Sequence, residues 1–243
     1  MEAMGEAVVA EIEALAARLE ALTDLRPRPE VNRAFDDLVH LVLTTPDANA
    51  LDNPVVQRLR PRLQELSARG EHELERAWSA ADDIAGFPYL DHYRQLVAAE
   101  LAAVGPAPQR VLFVGSGPLP LSPMLLADHG LTVDALDVDP DAVAAAEKVA
   151  NNVRFRVGNL LHQHDLAGYD LVVLAALVTE KDRCLRHLAQ RLVPGTLVAA
   201  RSALGLRTLL YPSVELPPGL QLIDAVHPPP PVINSIVLAR VSG

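Results

Sequence analysis

Apolar residues recur every three or four positions through the first hundred residues, with charged residues between them. Val8, Ile12, Leu15, Leu19 and Leu22 fall on one stripe and predict a helix with one buried face. Pro27 and Pro29 break it. Val31, Phe35, Leu38, Val39 and Val42 predict a second helix, ended by Pro46 near a turn at Thr45-Pro46-Asp47. Further helical stretches are expected over 54–68, 70–85 and 89–103. No strand is legible in this half.

Beyond Gly105-Pro106-Ala107-Pro108 the period changes. Short apolar runs at 110–114, 132–136, 153–157, 170–174 and 196–200 read as strands, with two more near 220–226 and 233–240. Helices are expected through Leu121–His129, 141–150 and 180–192, with Pro140 suited to a first helical turn. Strands alternating with helices imply a parallel sheet covered on both faces. The chain thus divides into a helical part, 1–104, and an α/β part, 105–243. Pro228-Pro229-Pro230-Pro231 reads as a rigid loop between the last two strands.

Composition narrows the partners. Half of the 243 residues are hydrophobic, enough for a substantial core, and the formal net charge is -10. That field repels phosphates, so nucleic acid and anionic membranes are not expected partners. No run approaches the roughly 18 uninterrupted apolar residues of a membrane span. The N-terminus, Met1-Glu2-Ala3-Met4-Gly5-Glu6, is acidic rather than basic, unlike a secretory leader. A single cysteine, Cys184, excludes an internal disulfide and suits the reducing cytoplasm, the expected location.

The first chemical signal follows the first strand of the α/β part. Gly115 and Gly117, flanking Ser116, let the chain turn sharply and let a ligand touch bare backbone. A dinucleotide fingerprint would place a third small residue at 120, but Pro118 and Pro120 stand here. Both lack the N–H donors a diphosphate wants, so a nucleoside without phosphates fits better. Asp137, at the end of the next strand, is placed to accept hydrogen bonds from ribose hydroxyls. Asp139, before Pro140, reads equally well as a helix cap. Asn159 and Leu160 follow the third strand, where Asn159 is placed for the adenine edge. His162 and His164 lack the fuller ligand set of a transition-metal site, so no metal is expected. Cys184 falls inside a helix and reads as a small buried hydrophobe, and Trp78 as core between the two parts.

At this point the residues resemble a family. FVGSGPLPLSP (Phe113 to Pro123) is similar to the signature of the nicotianamine synthases. LAALV (Leu174 to Val178), RSALGLRTLLYP (Arg201 to Pro212) and HPPPPVINSIVLAR (His227 to Arg240) resemble later blocks in order. VNRAFDDLV (Val31 to Val39), ELERAWS (Glu73 to Ser79) and FPYLDHY (Phe87 to Tyr93) do so in the helical half. The resemblance spans nearly the whole chain, although the chain is shorter than the plant enzymes and has Leu204 where they carry histidine.

The resemblance implies a Rossmann-like sheet of the class I methyltransferase type, preceded by a helical domain. It implies S-adenosylmethionine as co-substrate, held at Gly115, Ser116, Gly117, Asp137, Asn159, Leu160 and Ala175. The donor's 3-amino-3-carboxypropyl arm would pass to a small-molecule amine or amino acid, releasing methylthioadenosine. An amine protonated at pH 7 needs a base, and the role is carried onto Glu75, with Glu73 second. Tyr93 is carried over as the residue closing the acceptor pocket, with Tyr89 beside it. Without the resemblance, Glu71, Glu73 and Glu75 read as a solvated helix face and the tyrosines as helix packing. Donor and acceptor both carry carboxylates, so Arg201 and Arg207 are expected substrate-binding residues, with Tyr211 lining the same cavity. A single transfer to an amino acid such as histidine, an ordinary methyltransferase and a catalytically silent nucleoside sensor remain as alternatives.

Overall fold

The computed structural model describes residues 2–46, 48–81 and 83–243. Met1, Asp47 of the expected turn and Asp82 within the stretch 70–85 lie outside the described residues. Four helices come first: α1 (Glu2–Glu20), α2 (Pro29–Thr44), α3 (Pro54–Ser79) and α4 (Leu90–Val104). Then follow β1 (Arg110–Val114), α5 (Leu121–Asp128), β2 (Thr132–Asp137), α6 (Pro140–Val149), β3 (Arg154–Val157) and β4 (Leu171–Leu174). The chain closes with α7 (Lys181–Arg191), β5 (Leu197–Ser202), β6 (Leu220–Val226) and β7 (Ser235–Val241).

One sheet holds all seven strands in the order β3-β2-β1-β4-β5-β7-β6. The first five run parallel, but β7 is antiparallel to both β5 and β6. The fully parallel sheet expected from the alternation is therefore corrected at its last strand. The reason is local: only the proline loop joins β6 to β7, and an antiparallel return needs no crossover helix. Alternate residues of the central strands feed opposite faces. Val111, Phe113 and Val173 meet Leu96 and Val97 of α4, while Leu112, Val114 and Val172 meet Cys184, Leu185 and Leu188 of α7.

Helix α3 corrects a second expectation. The sequence predicts separate helices over 54–68 and 70–85, yet one helix of 26 residues, Pro54–Ser79, joins them through Gly70 and ends before 85. A Cβ at Gly70 would lie 2.3 Å from the Phe35 ring, so glycine lets α2 and α3 approach closely. That contact outweighs the ~1 kcal/mol a helical glycine costs relative to alanine. The third core, built from α1, α2 and α3, also takes in Ala176, Ala203, Leu206, Leu209 and Ile233. These residues follow β4 and β5 or precede β7, so the helices roof one end of the sheet, where the strand loops emerge.

Candidate active site

The sheet reverses its order between β1 and β4, and a crevice opens there beyond the strand ends, as open α/β sheets dictate. It holds a cavity of about 220 Å³, bounded by the loops after β1, β2, β3 and β4 and by α3. Gly115 (φ 83°) and Gly117 (φ 65°) adopt left-handed conformations open to glycine at little cost. A side chain at Gly115 would meet Val178 Cγ2 at 2.8 Å, so the turn also closes against the loop after β4. Asp137 fixes this turn from the neighbouring strand: its carboxylate accepts from Gly117 N at 2.9 Å and from Asp139 N at 3.0 Å. Each carboxylate oxygen keeps lone-pair capacity toward the cavity. Ser116 Oγ is buried in the same wall with no hydrogen-bond partner among the described residues.

The opposite wall comes from helices α3 and α4. Glu71 and Glu75 stand one turn apart on α3 and so share a face. The Tyr93 hydroxyl lies 3.2 Å from Glu71 Oε1 and 3.2 Å from Glu75 Oε1. The Tyr211 hydroxyl donates to Glu71 Oε2 at 2.7 Å. Burial pushes the Glu75 carboxyl well above the usual carboxylate range, reinforced by the charges of Glu71 and Asp137 and opposed by the Tyr93 hydrogen bond. Burial raises Glu71 as well, with the Tyr211 and Tyr93 hydroxyls and Arg201 pulling the other way. Two acids this close favour sharing a proton over carrying two charges. Glu75 also reaches across the cavity: its Oε2 lies 2.5 Å from where a Cβ on Gly117 would sit. Glu75 and the glycine turn are in direct apposition, and a side chain at Gly117 would have to displace the Glu75 carboxyl.

A buried ionic frame supports this wall. Arg201, on β5, donates through Nε and Nη2 to the two oxygens of Glu100, on α4, at 2.8 and 3.0 Å. Its guanidinium also lies over the Phe113 ring at 5.2 Å. Burial opposes the charge, but the Glu100 carboxylate outweighs it and raises the Arg201 pKa. Lys181 Nζ donates to the Ala176 and Arg201 carbonyls, both at 2.8 Å, tying the loop after β4 to β5. Burial lowers this amine to about 7. His92 Nδ1 accepts from Ile233 N at 3.1 Å, and burial lowers the imidazole to about 4, so it is neutral at physiological pH.

Most of the expected residues converge. Glu75, Tyr93, Gly115, Ser116, Gly117, Asp137, Asn159, Leu160, Ala175 and Arg201 line the crevice cavity. Tyr89 and Tyr211 line a second cavity behind Glu71 and Tyr93. Asn159 Oδ1 is taken by Leu161 N at 2.9 Å, which leaves its amide nitrogen for a ligand. Asp139 caps α6, accepting from Asp141 N. Arg207 is a correction. It borders neither cavity and donates to the Pro228 carbonyl at 3.2 Å, because its 3-10 turn directs Leu206 and Leu209 into the core instead. Glu73 is a second correction: it pairs with Arg76 at 3.9 Å and is not part of the cavity wall. Glu71 takes its place, signalled in the sequence only by its four-residue spacing from Glu75. Trp78 is half-buried, edge-on to Phe87 at 5.7 Å. Among the described residues, no group of three or more His, Cys, Asp or Glu could hold a metal ion. Nor is any helix of theirs long and apolar enough to cross a membrane.

Comparison with known proteins places this geometry. The family model described as "Nicotianamine synthase protein" matches residues 1–243. Nicotianamine synthase 9 of Hordeum vulgare is 36% identical over 269 residues, covering 97% of this chain and 79% of the relative. Nicotianamine synthase 3 of Oryza sativa subsp. japonica is 36% identical over 270 residues, covering 97% and 78%. Among solved structures, MtNAS in complex with MTA and tNA superposes with a TM-score of 0.88 at 23% identity, over 96% of this chain and 98% of that one. A mutant of MtNAS in complex with S-adenosylmethionine gives 0.86 at 22% identity, over 97% and 98%. At such identities the superpositions establish the fold, helices and sheet together.

Proposed function

The chain belongs to the nicotianamine synthase family of S-adenosylmethionine-dependent transferases, and from that premise we propose that it moves the donor's 3-amino-3-carboxypropyl arm to an amine held beside Glu75. The observation that carries the reading is the pairing across one cavity of a glycine turn fixed by Asp137 and a carboxyl with a raised pKa. The first suits a nucleoside without phosphates, and the second suits a base for an ammonium.

In this reading the ribose hydroxyls bond to Asp137, the adenine edge meets Asn159, and the sulfonium lies near the glycine turn. Three carbons on the sulfur are open to displacement, and the one that reacts is the one aligned with the nucleophile behind its C–S bond. Glu75 removes a proton from the acceptor ammonium. The freed lone pair forms a bond to the γ-carbon, and the C–S electrons pass to sulfur. Methylthioadenosine leaves as a neutral thioether, so no acid is needed on that side. Tyr93, whose pKa burial holds well above the ordinary phenol value, stays protonated and orients the carboxyls. Residues 1–104 serve as the acceptor side and 105–243 as the donor side, with Tyr211 and Arg201 crossing between them. The single buried cysteine suits a cytoplasmic enzyme.

Purified protein incubated with S-adenosylmethionine and an amino-acid pool tests the assignment by mass spectrometry of the released nucleoside. Methylthioadenosine is the expected product. S-adenosylhomocysteine would make the chain a methyltransferase, and neither product would make it a binding module.

A further inference from the structure

The second cavity, about 120 Å³, lies on the far side of Glu71 and Tyr93 from the donor crevice, and these two residues border both spaces. It runs outward between α2, α3 and α4 to a mouth at Asn32 and Asp36, both exposed. At ~30 Å³ per water it holds about four waters, room for an amino-acid side chain. Most of its wall is apolar. Its polar groups are carboxylates, hydroxyls, amides and the His92 imidazole: Asp36, Glu71, Tyr89, Tyr93 and Tyr211 are among them, and the Tyr89 hydroxyl donates to Asp36 at 3.0 Å.

No lysine or arginine borders this cavity among the described residues. Arg26 and Arg28, on either side of the lining residue Pro27, are engaged by Asp24, and Arg28 also by Glu30 at 2.7 Å. Arg201 and Arg207 are both near enough to depress His92, but Glu100 neutralises Arg201 at 2.8 Å and Arg207 does not border the cavity. His92 itself, at the cavity's inner end, carries no charge at neutral pH. Acids therefore stand at both ends of the passage, and nothing in it pairs with an anion. Moving a carboxylate in would leave it desolvated and unpartnered.

Resting on the transfer reading above, we propose that this cavity receives the side chain of an amino-acid acceptor and selects a neutral or cationic side chain over an acidic one. The α-carbon then stays on the donor side of Tyr93, with its amine toward Glu75 and its carboxylate in the crevice, and the side chain extends back toward Asp36. Asp36 acts at the mouth as a repulsive group, which sharpens selectivity by disfavouring the wrong ligand.

Glutamine and glutamate test this, because they share a shape and differ in charge at pH 7. The full chain is given S-adenosylmethionine and either amino acid, and kcat/KM for nucleoside release is compared. In parallel, each amino acid is titrated calorimetrically into protein saturated with methylthioadenosine, a readout independent of turnover. Glutamine is expected to exceed glutamate by at least about tenfold in both, equivalent to ~1.4 kcal/mol. Asp36→Lys, a change on an exposed helix face, is expected to narrow that ratio several-fold by favouring glutamate. Equal binding, a preference for glutamate, no binding of either, or a ratio unmoved by Asp36→Lys overturns the proposal. Release of S-adenosylhomocysteine would instead sink the transfer reading, while the binding ratio still reports on the cavity.

Discussion

The two walls of the candidate active-site cavity, donor and acceptor in the proposed reading, are built on different plans. The donor wall is made of backbone: glycines in left-handed turns, a carboxylate bound to two main-chain N–H groups, and a loop amide capping its own turn. Its parts lie within about fifty residues and are set by consecutive strands. The acceptor wall is made of side chains from remote segments, with Glu71 and Glu75 on α3 and Tyr93 on α4, backed by Tyr211 after β5. A backbone wall recognises a fixed ligand and changes little with sequence. A wall of acids and phenols tunes reactivity, because every member alters the proton affinity of the others. The contrast predicts that donor-wall changes act on binding, while acceptor-wall changes act on rate and on its pH dependence.

The largest effect is expected for Glu75→Gln. Loss of a general base costs on the order of 10²–10⁴-fold in turnover. Donor affinity, measured by calorimetry, is expected to stay within about twofold of the parent value, because Asp137 and the glycine turn remain. A substantial loss of donor affinity with retained turnover would reverse the assignment of the two walls. Next comes Asp137→Ala, on the opposite wall. Hydrogen bonds to a charged group are worth about 1.5–3 kcal/mol, so the donor Kd is expected to rise roughly ten- to hundredfold. Saturating donor should restore most of the turnover. An unchanged Kd would remove the ribose role from Asp137.

The same contrast decides what the sequence could disclose. The donor wall was legible because its chemistry is local: a strand, Gly115 and Gly117, and an acid at the end of the next strand are read along the chain. The prolines at 118 and 120 were informative for the same reason, since each removes a donor at a known position. The sheet was legible from alternating apolar runs, except for the antiparallel β7, whose direction depends on how its loop folds back rather than on its own residues. The acceptor wall was legible only in part. Glu75 and Tyr93 came through resemblance, while Glu71 was hidden among the acids of α3, because which acids face inward depends on how the helix is rotated against the sheet. Arg207 was misplaced for a related reason: a guanidinium within a block that resembles a family motif says nothing about the side of a 3-10 turn on which it emerges. The pairing of Glu100 with Arg201, a hundred residues apart, left no sequence signal.

Glu71→Gln is expected to have the smallest effect on maximal rate and is the sharpest test of coupling within the acceptor wall. In the proposed reading Glu75 acts as a base only when deprotonated, so its raised pKa is expected to place the acidic limb of the kcat/KM profile above the usual carboxylate range. Part of that elevation comes from the charge of Glu71, one helical turn away. Glutamine removes the charge yet can accept from one tyrosine hydroxyl through its carbonyl oxygen and donate to the other hydroxyl oxygen through its amide N–H. The Glu75 pKa should then fall, and the acidic limb should move to lower pH, with turnover above the limb changed only a few-fold. A pH profile measured with both variants distinguishes coupling from simple packing: a packing defect lowers the rate at every pH and leaves the limb in place. If the limb stays fixed while the rate holds, the two acids titrate independently, and the elevation of Glu75 rests on burial alone.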